Sequence, residues 1–318
     1  MYIDKIFYEV TVKTKHSIFL NILMLIMLIC SNNIITYSQT VADVKESESY
    51  QSFNLFPNGL LFPPLKTNTE EARVGLVRFL DRAKMKVELG NSIDILEYSP
   101  VSSDFSFRAG IDFFAYAFVI DRQGLYLQID AIDGFFGGNI SIASKNPSDK
   151  FMARLRIIHH SAHLADGNYW VHTYPRDWTK PGGPIPFSRD FGELVLLHHL
   201  NYETEQLRYY GGVSYATLNR PTEFKRFVAL AGIEFTSSRL NLNIFKQKIS
   251  PFVSYTMNMT GTPKYYPSHQ VEAGFKIGNP YGKGINLYIL YYSGRNMFGE
   301  YFDQRLETIG AGFNVDFF

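Results

Sequence analysis

Residues 207–215, LRYYGGVSY, alternate between two kinds of side chain, and this alternation is the main indication of the fold. The odd-numbered positions are apolar or aromatic apart from Gly211, whereas the even-numbered positions include Arg208 and Ser214. Successive side chains of a β-strand point to opposite faces, so a period of two predicts a strand with one apolar face. The chain ends on the same pattern, in residues 305–318 (RLETIGAGFNVDFF).

This alternation recurs from Ala72 to Phe318, with turn-like clusters between the segments and no helical pattern. Such repetition predicts an all-β chain. The predicted strands lie near 73–80, 84–98, 105–119, 123–131, 134–144, 150–163, 187–200, 204–217, 225–237, 246–258, 269–278, 285–293 and 305–318. Single-chain bacterial barrels have an even number of strands. Because the predicted segments number thirteen, one strand boundary must be misplaced, and we expect the error in the first two segments.

Strand length and loop length distinguish a membrane barrel from a periplasmic β-sandwich, which is the alternative. Strands of globular proteins have about 5–6 residues, whereas strands that cross a bilayer need about 9–11, and the predicted segments fit the longer class. Long connections also alternate with tight turns, as in outer-membrane barrels. The long ones are 164–186, 218–224, 259–268 and 294–304, the tight ones are 201–203 and 279–284, and 238–245 is an exception. We predict an antiparallel transmembrane β-barrel of about 12 strands over residues 72–318.

Composition agrees with this prediction. The 318 residues are 46% hydrophobic and 16% aromatic, yet the mean hydropathy is only −0.10, because polar residues are interspersed with apolar ones. A barrel places its apolar row against lipid and its charges in a polar lumen. The charged residues expected in the lumen are Arg154, Arg156, Arg208, Arg226 and Glu234. A formal net charge of +1 does not provide the excess of positive charge that is typical of nucleic-acid-binding proteins, so no nucleic-acid partner is expected.

Residues 1–38 have the features of a secretory signal peptide. Lysines precede the short apolar run 18–30 (IFLNILMLIMLIC), and small residues stand just before the predicted cleavage site. A membrane-spanning helix would need about 20 apolar residues. Cys30, the only cysteine, could also be a lipoprotein cysteine, although it lacks the usual small residue before it. Cleavage would leave residues 39–318 formally neutral, and 39–71 are expected to form an irregular lead segment.

Polar residues continue the apolar row of one predicted strand, 150–163. This row begins at Phe151 and goes on to His159, Ser161 and His163. Polar side chains on a lipid-facing row are costly unless they lie near the interface or have a function. Residues two apart on one strand face lie roughly 6–7 Å apart, so a histidine there can act as general base for a serine. We predict Ser161 as a nucleophile activated by His159.

The neighbouring strand, 187–200, is expected to supply the acid that orients this histidine. If Leu194 and the side chains in its row face lipid, Asp190 does too. If Val195 and its row face lipid instead, Glu193 is the acid on the lipid face. The alternation in this strand leaves both possibilities open. Asp190 is the preferred third member of the predicted catalytic set.

Other interpretations of these residues stay open. Histidine and serine near the rim of a barrel are ordinary interfacial residues, and no chemistry need follow from them. His159, His163 and Asp166 have a spacing that could bind a metal, although the spacing is a weak signal. The pair His198-His199 is interpreted as part of an interfacial girdle. We expect no cofactor and no metal.

The His-x-Ser pair resembles that of outer-membrane phospholipase A and of the lipid A deacylase barrels, which act on lipid at the outer barrel wall. Those enzymes complete the site with an Asn or Glu from the neighbouring strand, a position that Asp190 or Glu193 would supply here. The chain also ends in Phe317-Phe318, which resembles the C-terminal aromatic signature of bacterial outer-membrane barrels.

A series of motifs along the chain is similar, in order, to the bacterial family named domain of unknown function 1207. They are Phe62-Pro63-Pro64-Leu65, Glu71-Ala72-Arg73, Arg154-Leu155-Arg156, residues 160–166 (HSAHLAD), Ser188-Arg189-Asp190, residues 207–212 (LRYYGG), and Tyr292-Ser293-Gly294 with Gly299 and Phe302. In the family's H-x-S-S-H-L-G-D-E run, this chain has Ala162 and Ala165 as departures and Gly167 in place of the final Glu. The resemblance implies an outer-membrane barrel and no established activity.

These inferences predict an integral outer-membrane protein whose partners are outer-membrane lipids. A lipid-face serine hydrolase, of phospholipase or lipid A deacylase type, is one function the sequence allows, and a passive pore or structural barrel is another. Many lipid-active barrels dimerise, so a homodimer stays open, and the sequence identifies no protein partner.

Overall fold

The computed structural model describes residues 51–122, 126–165 and 186–318, which are almost entirely β-structure. The predicted signal peptide, 1–38, and residues 39–50 of the lead segment lie outside the described residues. The strands are β1 Gln51–Leu55, β2 Val74–Phe79, β3 Lys84–Pro100, β4 Phe105–Arg122, β5 Tyr126–Ser144, β6 Asp149–Leu164, β7 Phe187–Asn201, β8 Glu205–Arg220, β9 Phe227–Ser237, β10 Leu242–Ile244, β11 Gln247–Gly261, β12 Tyr265–Gly278, β13 Gly284–Arg295 and β14 Arg305–Asp316. A short 3-10 helix, Gly299–Tyr301, interrupts the connection between β13 and β14.

Twelve of these strands close into a barrel. Neighbours pair antiparallel from β2 to β9 and from β11 to β14, β9 pairs with β11, and β14 pairs with β2 to complete the ring. The two remaining strands extend the wall at one end, where β1 pairs with β3 and β10 pairs with β11. The prediction of an antiparallel transmembrane β-barrel of about 12 strands is confirmed. Among the described residues, no helix is long and apolar enough to cross a membrane.

The misplaced strand boundary lies in β5 rather than near the start of the barrel. The first two predicted segments correspond to β2 and β3, so the expectation of an error there is wrong. The predicted segments 123–131 and 134–144 belong to a single strand, β5, whose described part starts at residue 126. Asp133-Gly134 looks like a turn, but both residues pair with β6, opposite Ala162 and Ser161.

Two other segments also differ from expectation. The lead segment, expected to be irregular, contains β1, which pairs with the last residues of β3. The exceptional connection 238–245 contains β10, and a hairpin turn at Phe245 and Lys246, both with positive φ, leads from it into β11.

Side chains alternate between the outer wall and the lumen as predicted. Outward rows contain large exposed apolar residues, including Ile140, Ile157, Leu196, Tyr215, Ile233, Ile289 and Phe313. Inward rows contain buried charges, among them Arg154, Arg156, Arg208 and Glu234, as expected. The prediction for Arg226 is wrong, because this residue precedes β9 and is exposed at the rim.

The two ends of the barrel differ. We call the end where β6 and β7 are joined by the longest connection, near Leu164 and Phe187, the loop end. The opposite end, near Asp149 and Asn201, is the turn end, and β14 finishes there. Residues 166–185, within the longest connection, lie outside the described residues.

The lead segment fills the lumen. Residues 56–73 run from β1 into the barrel before the chain joins the wall at β2. Leu65 and Thr67 are fully buried, and Leu65 packs with the inward-facing Val195 and Leu197 of β7. The Thr67 hydroxyl lies 2.6 Å from that of Thr256 on β11. We call residues 56–73 the plug.

Charges hold the plug against the wall. Glu71 accepts hydrogen bonds from both terminal nitrogens of Arg154, at 2.9 and 2.5 Å, and lies 3.8 Å from Arg156. On another side of the barrel, Arg73 lies 3.6 Å from Glu272. A buried charge without its partner is strongly destabilising. The plug carboxylate and the wall arginines are therefore mutually required.

A second element covers the lumen at the loop end. The connection between β13 and β14 folds inward, so that Phe298 is fully buried and its ring centroid lies 4.6 Å from that of Phe118. The Gly299 amide donates a 2.7 Å hydrogen bond to Asp133 on β5. The plug and this connection together fill the barrel interior, the connection doing so at the loop end.

We expect Glu71→Ala to lower the thermal stability of the barrel, because it leaves the buried guanidinium group of Arg154 without its main carboxylate. Breaking a buried ion pair costs about 3–5 kcal/mol. The temperature at which the heat-modifiable gel mobility of the detergent-solubilised protein changes should fall clearly. Glu203→Ala, at an exposed position of the turn between β7 and β8, is the control and should leave that temperature unchanged. Equal transition temperatures for the wild type and Glu71→Ala would contradict an anchored plug.

Candidate lipid-face site

The candidate site lies on the outer wall where β6 and β7 approach the loop end. In the antiparallel register His159 is opposite Asp190, and Ser161 is opposite Ser188. The outward position of Leu194, which is 41% exposed, places Asp190 on the outer face and not in the lumen. The sequence left open which acid of this strand faces outward, and the structure shows that it is Asp190.

His159 and Asp190 form a direct hydrogen bond. His159 Nδ1 lies 2.5 Å from Asp190 Oδ1, and since an ionised carboxylate only accepts, the imidazole donates this bond. The two side chains remain 33% and 44% exposed, so the pair is open to the membrane side. The Phe136 ring on β5 packs beside His159, with centroids 4.8 Å apart. A histidine held through Nδ1 presents Nε2 as its free basic nitrogen.

Ser161 shares the outer face with this pair. Its neighbours across the two flanking strands are Gly134 and Ser188, which are small, so the wall beside the serine is shallow. Within the described residues, no hydrogen bond joins Ser161 to His159, as expected for positions about 6–7 Å apart along a strand. Side-chain rotation is needed to bring the serine oxygen to Nε2.

Glu193 takes no part in this site. It faces the lumen, where it is 2% exposed and accepts a 2.7 Å hydrogen bond from Arg156 Nε. The sequence alternative that placed Glu193 on the lipid face is wrong, because β7 turns the row of Val195 inward.

His163 continues the outer row beyond Ser161 and is exposed. Asp166, the other candidate ligand of a metal with His159 and His163, lies outside the described residues. Among residues 51–122, 126–165 and 186–318, no three acidic, histidine or cysteine side chains are grouped so as to hold a metal ion.

The lumen side of the same strand pair is tightly held. His160, next to His159 in sequence, points inward, and its Nε2 lies 3.0 Å from Asp133 Oδ2. The imidazole also stacks on Phe135, with ring centroids 3.9 Å apart. Arg189, next to Asp190, lies 3.6 Å from Glu70 of the plug. These contacts, which sequence reasoning missed, fix the backbone that carries the outward pair.

A second histidine cluster lies on the outer wall at the turn end. His198 Nδ1 is 2.5 Å from the Tyr209 hydroxyl, and Nε2 contacts Asp149. The Phe151 ring stacks on the imidazole at a centroid distance of 4.0 Å. Aromatic and polar side chains of this kind are enriched at the membrane interface of barrels. The girdle interpretation of His198 fits this position.

The family model described as Protein of unknown function (DUF1207) matches residues 129–317, which include β6, β7 and the whole candidate site. The chain belongs to this family. The resemblance seen in the sequence motifs is confirmed. Membership assigns no activity, since the family has none described.

Two solved structures show a low level of similarity, and none of the curated proteins matches the sequence. The beta domain of the Bordetella autotransporter BrkA is 13% identical, with 78% of this chain and 100% of that chain covered and a TM-score of 0.37. A bacterial polysaccharide outer membrane secretin is 9% identical, with 78% and 99% covered and a TM-score of 0.30.

Cysteine labelling can test the facing of these residues, because residues 39–318 contain no cysteine. We expect Ser161→Cys to react with a membrane-permeant maleimide in detergent micelles, because the site is open on the outer wall. Ile157→Cys, in the same row, should react similarly, whereas Ile158→Cys, which is 1% exposed, should not. Protection of Ser161→Cys to the level of Ile158→Cys would show that the serine is not on the outer face.

Proposed function

We propose that this protein is an outer-membrane serine hydrolase that cleaves acyl esters of lipids at its outer wall. The observation that carries the proposal is the 2.5 Å hydrogen bond between His159 and Asp190, on the same face as Ser161, which lies two residues from His159 along β6. A nucleophile, a base and a carboxylate that orients the base are the parts required for serine-based acyl transfer. Their place on the lipid-facing wall makes a membrane lipid the natural substrate.

Each side chain has one role in the proposed reaction. His159 Nε2 takes the proton of the Ser161 hydroxyl as the serine oxygen bonds to the ester carbonyl carbon. The Asp190 carboxylate stabilises the imidazolium through Nδ1. When the ester C–O bond breaks, the proton passes from Nε2 to the leaving alcohol. Water then attacks the acyl-enzyme, with His159 again accepting a proton, to release a fatty acid and regenerate Ser161.

Position along the barrel supports a substrate in the outer leaflet. The C-terminus of an outer-membrane barrel lies on the periplasmic side, and β14 finishes at the turn end. The loop end, with the candidate site, would then face the outside of the cell. Long extracellular loops and short periplasmic turns agree with this orientation.

Incubation of the purified protein with mixed outer-membrane lipids should release fatty acid, as followed by mass spectrometry. We expect Ser161→Ala to abolish the release and Asp190→Asn to reduce it by roughly a hundredfold or more, because the imidazole loses its orienting charge. Ser188→Ala is the matched control: it removes an outward serine at the same level and should leave activity unchanged. Release that persists in Ser161→Ala, or none above background in the wild type, would exclude the hydrolase.

A passive pore is less well supported, because the plug and the β13–β14 connection occupy the lumen. Reconstitution in a planar lipid bilayer should therefore give no stepwise conductance with the wild-type protein. Steady conductance steps of uniform size would contradict a filled lumen and would favour a pore instead.

A further inference from the structure

A β-bulge in β8 lies directly beside the candidate site. Phe191 of β7 pairs with Ala216, whereas the preceding residue, Asp190, pairs with Leu218. Thr217 is therefore an extra residue without a partner across the strands. A bulge inserts one residue and so re-aims every side chain that follows it.

The bulge exchanges the two faces of β8 near the loop end. Before it, even-numbered residues such as Ser214 and Ala216 are buried in the lumen. After it, Leu218 is 40% exposed on the outer wall, and Asn219 pairs with the inward-facing Arg189. Arg220 pairs with Ser188, which lies in the outward row of Asp190, so Arg220 is also on the outer face. Without the bulge, Arg220 would point into the lumen.

The register places Arg220 at the level of Ser161. Ser161 pairs with Ser188, and Ser188 pairs with Arg220 on its other side. Adjacent strands lie about 4.8 Å apart, so the backbones of Ser161 and Arg220 are roughly 10 Å apart along one line across the wall. Only the small side chain of Ser188 lies between them on the outer face.

Hydrogen bonds tie the bulge both to the catalytic pair and to a second arginine. The Thr217 hydroxyl donates to the backbone carbonyl of Asp190 at 3.2 Å. The Thr217 carbonyl accepts a 3.2 Å hydrogen bond from Arg226 Nη1. Arg226 is exposed at the rim, and this hydrogen bond holds its guanidinium group at Thr217, the residue bonded to the Asp190 backbone.

These two arginines lack acidic partners within the described part of the chain. Other arginines of the barrel, such as Arg108 and Arg208, pair with carboxylates in the lumen. An arginine on the outer wall is costly unless its charge reaches the headgroup level. The guanidinium group binds phosphate oxygens through two parallel hydrogen bonds, which makes it the preferred phosphate ligand.

We propose that Arg220, assisted by Arg226, binds the phosphate group of the lipid whose acyl ester is attacked by Ser161. This inference rests on the proposed hydrolase and adds its substrate class, a phosphate-bearing acyl lipid. The phosphate could belong to a glycerophospholipid or to lipid A, which share this chemistry. Arg220 selects the substrate in this scheme and does not touch the reacting ester.

Binding can be measured separately from hydrolysis. An ether-linked phosphatidylglycerol cannot be cleaved at an acyl ester, and the matched ether-linked diglyceride lacks the phosphate. In detergent micelles, we expect Arg220→Gln to weaken binding of the ether phospholipid about tenfold, as for loss of a charge-assisted hydrogen bond, and to leave diglyceride binding unchanged. Arg305→Gln, at an exposed rim position of β14, is the control and should change neither.

Hydrolysis supplies the second measurement. With acyl substrates, Arg220→Gln should lower kcat/KM for phosphatidylglycerol about tenfold relative to diacylglycerol. The same comparison is then made between lipid A and its dephosphorylated form. The lipid class in which removal of the phosphate abolishes the effect of Arg220→Gln is the source of the phosphate that Arg220 binds. Equal losses on substrates with and without phosphate, or no loss on either, would overturn the proposed subsite.

The two measurements separate failure of the subsite from failure of the hydrolase. Arginine-dependent binding of the ether phospholipid without any fatty-acid release would retain the subsite and exclude the hydrolase. Fatty-acid release that depends on Ser161 but not on Arg220 would retain the hydrolase and exclude the subsite.

Discussion

Closure of the sheet into a ring underlies every other feature of this barrel. A bilayer offers no water to exposed backbone amides and carbonyls, so every strand that crosses it must be paired on both edges. Here β14 pairs with β2, and β2 pairs with β3, which leaves no open edge in the ring of twelve. Closure also places alternate side chains in two different environments. One row meets lipid, and the other is enclosed in a lumen that must be filled or hydrated.

The lumen is filled by residues that come from outside the ring. Inward rows carry many charges, and the plug supplies partners for them, as Glu71 does for Arg154. The same inward contacts stabilise the outward site, because neighbouring residues on one strand face opposite sides. His160 and Arg189 are fixed in the lumen, and their neighbours His159 and Asp190 are thereby held together on the wall. The packed interior therefore supports the His159–Asp190 pair on the outer surface.

Much of the candidate site could be predicted from the sequence, but its completion could not. His159 and Ser161 share a face because they are two residues apart, and alternation alone indicates this. The third residue depends on the register between β6 and β7, which the long connection 164–186 leaves open in the sequence. The exclusion of Glu193 and the choice of Asp190 needed the pairing of His159 with its opposite residue. The bulge at Thr217 left no sequence signal, because threonine is also an ordinary strand residue.

The amino-acid sequence was sufficient to predict the class of fold, the outward row of apolar side chains and the position of the His-x-Ser pair, because a period of two is a local property of the chain. It misplaced one strand boundary, since Asp133-Gly134 has the composition of a turn and only pairing with β6 keeps it in a strand. Four features are visible only in the folded barrel: the exact strand number, the filling of the lumen by residues 56–73, the partner of His159 and the outward orientation of Arg220. Each of these depends on contacts between residues distant in sequence, and no local pattern encodes which distant residues will meet.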